Sequence, residues 1–180
     1  SEAPTNLAGA GPTTAEPSVV AVATASATAP ATRPLPPAFL PLADAKVGEW
    51  CRYRMRDDQT EEVRVTAIDA GIVGIELKMF RRGKPLGRPT LRPERADEDP
   101  IAAHARRVDA RVVLTDAVVE AAGRRWPCRI VTESWLDEGV RYVRRTWCCE
   151  ALPVYGIVRM EQTADGEPAA SMELLDYGPR

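Results

Sequence analysis

The side chains of this sequence that could do chemistry are four cysteines, one histidine and a short acidic run. Cys51, Cys128, Cys148 and Cys149 are an even set with three complete pairings. No C-x-x-C spacing occurs, which counts against a zinc ribbon or a thioredoxin-like pair. His104 is the single histidine, so a two-histidine metal site within the chain is excluded. His104 with Cys128, Cys148 and Cys149 would be a zinc ligand set. Adjacent strand residues point to opposite faces, however, so Cys148 and Cys149 do not readily bind one ion. Asp97, Glu98 and Asp99 precede His104, and carboxylate plus imidazole can do acid–base work. An acidic run just ahead of a helix is equally well explained by the helix dipole. No catalytic residue, metal ligand or cofactor is assigned, and the chain reads as a non-enzyme. Trp50, Trp126, Trp135 and Trp147 could line an apolar ligand cavity or form plain core. Arg141, Arg144 and Arg145 read as a solvated edge or as cross-strand partners, with anion binding as the alternative.

The elements that must position these residues divide the chain in two. Residues 1–44 hold eight of the sixteen prolines and an Ala/Thr/Val/Ser run at Ser18–Ala31. Few large side chains are available there to offset a backbone entropy of ~1–2 kcal/mol per residue. This segment is expected to be a disordered, semi-rigid tether. The chain starts at Ser1 without a recognisable basic-then-apolar leader, as expected of a processed or trimmed form. Setting aside Glu2, Glu16, Arg33 and Asp44 leaves 23 basic and 23 acidic residues in 45–180. Overall charge therefore does not point to nucleic acid or an anionic membrane. No apolar run reaches the ~18 residues of a spanning helix.

Residues 45–180 read as a single antiparallel β domain. Cys51, Tyr53 and Met55 alternate with Arg52, Arg54 and Arg56, the period of a half-buried strand. Strands over Glu62–Ile68 and Ile72–Phe80 follow across a turn at Asp69-Ala70-Gly71. A short strand is expected near Thr90-Leu91. Asp99-Pro100 reads as an N-cap followed by Pro at the first helical position, with helix through Arg107. A two-residue turn at Ala122-Gly123 pairs residues whose numbers sum to 245, setting Arg125 against Glu120 and Trp126 against Val119. A turn at Glu138-Gly139 gives the sum 277 and sets Trp135 against Tyr142, Glu133 against Arg144 and Cys128 against Cys149. Shifting to 276 loses these aromatic and opposite-charge pairs, each worth ~0.2–1 kcal/mol. A hairpin at Asp165-Gly166 would place Ile157 opposite Leu174 and Arg159 opposite Met172. The expected fold is mainly β: a curled antiparallel meander sheet or half-barrel of about eight strands with one short helix.

The 277 register makes a Cys128–Cys149 disulfide the expected bridge. Cys148 points to the other face, where Cys51 is the remaining partner. Buried free thiols are the competing state. A bridge implies an oxidising compartment.

The sequence Val118-Val119-Glu120-Ala121-Ala122-Gly123, then Trp126-Pro127-Cys128, a strand holding Trp147, and Leu152-Pro153-Val154-Tyr155-Gly156-Ile157-Val158 resembles uncharacterised bacterial envelope proteins and lipoproteins. These look like relatives of the lipoprotein-carrier superfamily of LolA and LppX. The chain departs from that pattern at Arg159, where Lys is usual, and in the second cysteine beside Cys149. The resemblance implies an antiparallel half-barrel around a helical lid and carries over no catalytic residue. The expected protein is a non-catalytic secreted or periplasmic envelope protein that binds a lipid or other apolar ligand in a curled sheet. Lipid anchorage would run through a removed N-terminal segment. The alternative is a structural or assembly module that binds an envelope protein partner and no ligand.

Overall fold

The computed structural model describes residues 38–56 and 58–179. The tether expected over residues 1–44 lies for the most part outside them. Ten strands and one helix follow in chain order. They are β1 Trp50–Met55, β2 Gln59–Asp69, β3 Ile72–Arg81, β4 Lys84–Pro85, β5 Thr90–Arg95, α1 Pro100–Arg107, β6 Arg111–Ala121, β7 Arg124–Asp137, β8 Val140–Cys148, β9 Ile157–Ala164 and β10 Glu167–Gly178. All pairings are antiparallel. The strand count exceeds the expected eight because β4 and β5 form on the outer side of β3.

Tight turns make this a meander. At Ala70-Gly71, Arg82-Gly83, Ala122-Gly123, Glu138-Gly139 and Asp165-Gly166 both turn residues have positive φ. That is the type I′ geometry whose twist matches flanking strands. The expected registers hold in two hairpins: Glu120 faces Arg125 across β6–β7, and Glu133 faces Arg144 across β7–β8. The last hairpin departs from expectation. A bulge between Pro168 and Ala170 shifts the β9–β10 ladder by one residue, so Arg159 faces Glu173 instead of Met172. The shift exchanges an Arg–Met pair for an ion pair of 2.8 Å.

The strand order is β4-β3-β2-β1-β10-β9-β8-β7-β6, with β5 also on β3. The first and last strands therefore meet in the middle of the sheet, and β4/β5 and β6 are its two edges. Residues 96–110, including α1, connect one edge to the other. So short a connection requires the sheet to curl, and the sheet stays open rather than closing into a barrel. Its solvated side carries cross-strand charge pairs, Arg52–Glu62 at 2.9 Å and Arg159–Glu173 among them.

The main core gathers Cys51 and Tyr53 of β1, Val63 and Val65 of β2, Val73 and Ile75 of β3, Val158 of β9 and Leu174 of β10. The loop between β8 and β9 fills the rest: Leu152, Pro153 and Val154 are each less than 2% exposed. Backbone bonds hold this loop, with the Cys149 amide donating to the Gly156 carbonyl at 2.7 Å and the Cys51 thiol to the Pro153 carbonyl at 3.2 Å. Val154 has φ of 60°, a costly conformation for a β-branched residue. It is held there by burial on all sides. Leu42 also enters this core, so packed structure begins N-terminal to residue 45, at a point where composition alone read tether. A smaller cluster of Ile101, Val131 and Cys148, with Phe39 and Leu114 against it, seats α1 on the sheet.

Candidate functional site

Strand β7 positions two groups of side chains on opposite faces. Near its start Trp126 and Cys128 are buried; farther along, Val131 and Glu133 are. The ladder with β6 runs through this stretch without a bulge. The change from even to odd numbers therefore means that the strand is covered on one face first and on the other afterwards. The main core covers Trp126 and Cys128, and α1 covers Val131 and Glu133.

Cys128 of the first group and Val131 of the second border a groove of about 650 Å³. Phe39, Ala117, Val118, Pro127, Val131 and Ala151 give it apolar walls, and Asp116, Arg129 and Glu150 add charge. Cys128, Cys148 and Cys149 line the same groove. Cys128 and Cys149 belong to the main core and Cys148 to the smaller cluster, as opposite-facing neighbours require. All four cysteines are free and buried. Cys128 Sγ donates to the Trp126 carbonyl at 3.4 Å, and Cys148 Sγ to the Thr146 carbonyl at 3.8 Å. The structure brings Cys128 and Cys149 to one core but leaves Cys51 and Cys148 in separate clusters.

Burial pushes the Cys51 and Cys148 thiols up to about 12 and Cys128 up to about 11. Thiolate is the reactive form, so Cys51, Cys128 and Cys148 of the reduced native protein should label only slowly with iodoacetamide at pH 8. All four sites should react at once in denaturant. Because the fold holds these protons more tightly than the open chain does, their contribution to stability is intact below the ordinary thiol value of 9.0. It declines as pH climbs towards about 11 to 12. Fast native labelling of any of the three would contradict their burial.

The second group is a buried ionic triad. Glu133 is fully buried. Its Oε2 accepts from Arg144 Nε at 2.8 Å and lies 2.6 Å from Arg144 Nη2. Its Oε1 lies 2.9 Å from His104 Nδ1. The edge of the His104 ring meets Trp135 at 5.1 Å between centroids, Trp135 stacks on Tyr142 at 5.3 Å, and Arg144 lies 5.8 Å above Trp135. The register already paired Glu133 with Arg144. The approach of His104 was not foreseen, since it depends on where α1 lands.

A carboxylate on Nδ1 fixes an imidazole's orientation and tautomer. His104 also borders a cleft of about 190 Å³ with Glu94, Glu98, Arg107 and Tyr155. None of the residues bordering that cleft is a serine, threonine or cysteine nucleophile. Two of the three residues of the acidic run are committed elsewhere. Asp99 caps α1, its Oδ1 accepting from the Ile101 and Ala102 amides at 3.0 Å and its Oδ2 from the Phe39 amide at 2.9 Å. Asp97 pairs with Arg95 at 2.8 Å. Among the described residues no three His, Cys, Asp or Glu side chains converge on a position that could hold a metal ion.

The four tryptophans do not share a cavity. Trp126 is core, while Trp50, Trp126, Trp135 and Trp147 each lie beneath an arginine. The Arg141, Arg144 and Arg145 cluster is dispersed. Arg144 turns inward to Glu133, Arg145 stands opposite Glu161 on β9, and the Arg141 amide donates to Asp165 at 2.9 Å.

A scan of protein-family models, a search of curated proteins and a search of solved structures each found no match to the chain.

Proposed function

We propose that this chain is a non-catalytic binding module of the bacterial cell envelope, secreted or periplasmic, which holds the acyl chain of a lipid in the groove beside the β6–β7 hairpin. The observation that carries this reading is the groove itself. Its volume falls within the ~300–1,000 Å³ typical of small-molecule sites, and apolar side chains from four separate parts of the chain form its walls. The interior of the curl is less suitable, since Leu152, Pro153 and Val154 of the chain itself occupy it. Val118, 56% exposed, offers an apolar surface that the fold does not use. The resemblance to envelope proteins supports the compartment.

Titration of the full chain with a fluorescent sixteen-carbon fatty acid tests the site. The wild type should bind, and Val118→Asp should weaken binding at least about tenfold by placing a charge in an apolar contact, with the fold intact. Equal binding by the variant would remove the groove as the site. Absence of binding, together with a lipid-free mass for protein purified from its own host, would favour an assembly module instead.

A further inference from the structure

The near-neutral charge of the folded region conceals a strongly basic edge. Residues 81–93 hold Arg81, Arg82, Lys84, Arg88 and Arg92 and no acidic residue, and all thirteen are exposed. They make up the end of β3, all of β4 and the start of β5, so they form one open edge of the sheet. Two leucines sit among the cations, Leu86 at 41% and Leu91 at 70% exposure. The acids nearby lie outside this run, with Glu94 and Asp97 following it and Asp97 held by Arg95. Asp58 lies 3.5 Å from Arg82, Glu61 is within electrostatic reach of Arg92, and Glu76 pairs with Lys78 at 2.6 Å. Among the described residues Arg81, Lys84 and Arg88 enter no ion pair.

Basic residues and prolines on an edge strand also deter strand-to-strand aggregation. That role has no use for exposed leucines, which would promote the association the charges oppose. Cations flanking exposed large apolar side chains are instead the chemistry of a surface that rests in a bilayer interface. Phosphates meet the guanidinium groups while apolar side chains enter the headgroup boundary. We infer that the β4–β5 edge is a docking surface for an anionic phospholipid membrane, with Leu86 inserted beside Arg81 and Lys84, which the β3–β4 register sets on the same face, and with these two cations and Arg88 on lipid phosphates. The surface is separate from the groove, so this inference does not depend on acyl-chain binding there.

Co-sedimentation of the full chain with vesicles tests it. One set is phosphatidylcholine containing three-tenths phosphatidylglycerol, the other phosphatidylcholine alone. Binding should be confined to the anionic vesicles and should weaken steeply with salt. Each neutralised cation should weaken it about fivefold, so Arg81→Gln/Lys84→Gln/Arg88→Gln should lose about a hundredfold. Leu86→Ser, with charge unchanged, should lose about fivefold. All four positions are exposed, so circular dichroism should show an unaltered strand spectrum. Equal binding to both vesicle types, or no effect of the charge variant, would overturn the inference. An unaffected leucine variant would overturn insertion. Failure to bind vesicles while polyglutamate binds and the charge variant does not would assign the edge to an acidic protein instead.

Discussion

Replacing Glu133 with alanine is expected to destabilise the domain by about 3–5 kcal/mol, because it leaves a largely buried guanidinium without its counter-charge. Both carboxylate oxygens are engaged, one by Arg144 and one by His104, and no exposed surface remains on Glu133 for water to compensate. The loss also removes one attachment of α1 to the sheet, leaving the small cluster around Ile101 and the contact of His104 with Trp135. The double variant Glu133→Leu/Arg144→Met should recover part of the loss, since an apolar pair of similar size leaves no buried charge unpaired. Urea unfolding of the two variants against wild type measures both effects. A loss below about 1 kcal/mol for Glu133→Ala would mean that the triad is solvated rather than buried.

Trp126→Ala should cost about 3–5 kcal/mol for a different reason. Trp126 is 1% exposed and packs edge-on against Tyr177 at 5.2 Å. Its indole N–H donates to the Ala121 carbonyl at 3.0 Å. Truncation would open a cavity between the β6–β7 hairpin and the last strand and leave a buried carbonyl unpaired. Trp126→Phe should cost less, retaining most of the volume and losing the hydrogen bond. Near-ultraviolet circular dichroism with urea unfolding reads both. A near-neutral alanine variant would show that the hairpin does not pack over the core.

The parts of the fold that were legible in the sequence are those that local chemistry decides. The dipeptides at 122–123, 138–139 and 165–166 demand positive φ, and the first two fix registers that charge pairing confirms, Glu120 with Arg125 and Glu133 with Arg144. Asp99-Pro100 announces α1 through capping alone. What escaped is set by tertiary placement. The bulge before Ala170 is favoured by the Arg159–Glu173 pair across strands, which turn chemistry at 165–166 does not foresee. His104 reaches Glu133 across 29 residues because the two sheet edges must be bridged. Leu152-Pro153-Val154 carries no strand or helix period in the sequence, yet it is a plug, because an open curl needs apolar side chains from outside its own strands. Phe39 and Leu42 lie in a stretch whose composition is dominated by Pro and Ala, and two large apolar residues among these do not stand out.

Within the groove, Val118 was visible only as part of the hairpin motif at 118–128. Its exposure follows from β6 being an edge, which depends on the order of all ten strands. The same order exposes the basic β4–β5 edge, whose charges cancel in any count taken over the whole domain.

Under the proposed function an apolar ligand enters the groove beside the β6–β7 hairpin and not the interior of the curl. Titrating the ¹⁵N-labelled full chain with a sixteen-carbon fatty acid, and following amide shifts residue by residue, tests it most directly. Saturable changes are expected at Ala117, Val118, Arg129 and Ala151, with Val65, Val73 and Leu174 unmoved. Changes centred on those interior residues, or none at saturating fatty acid, would contradict it.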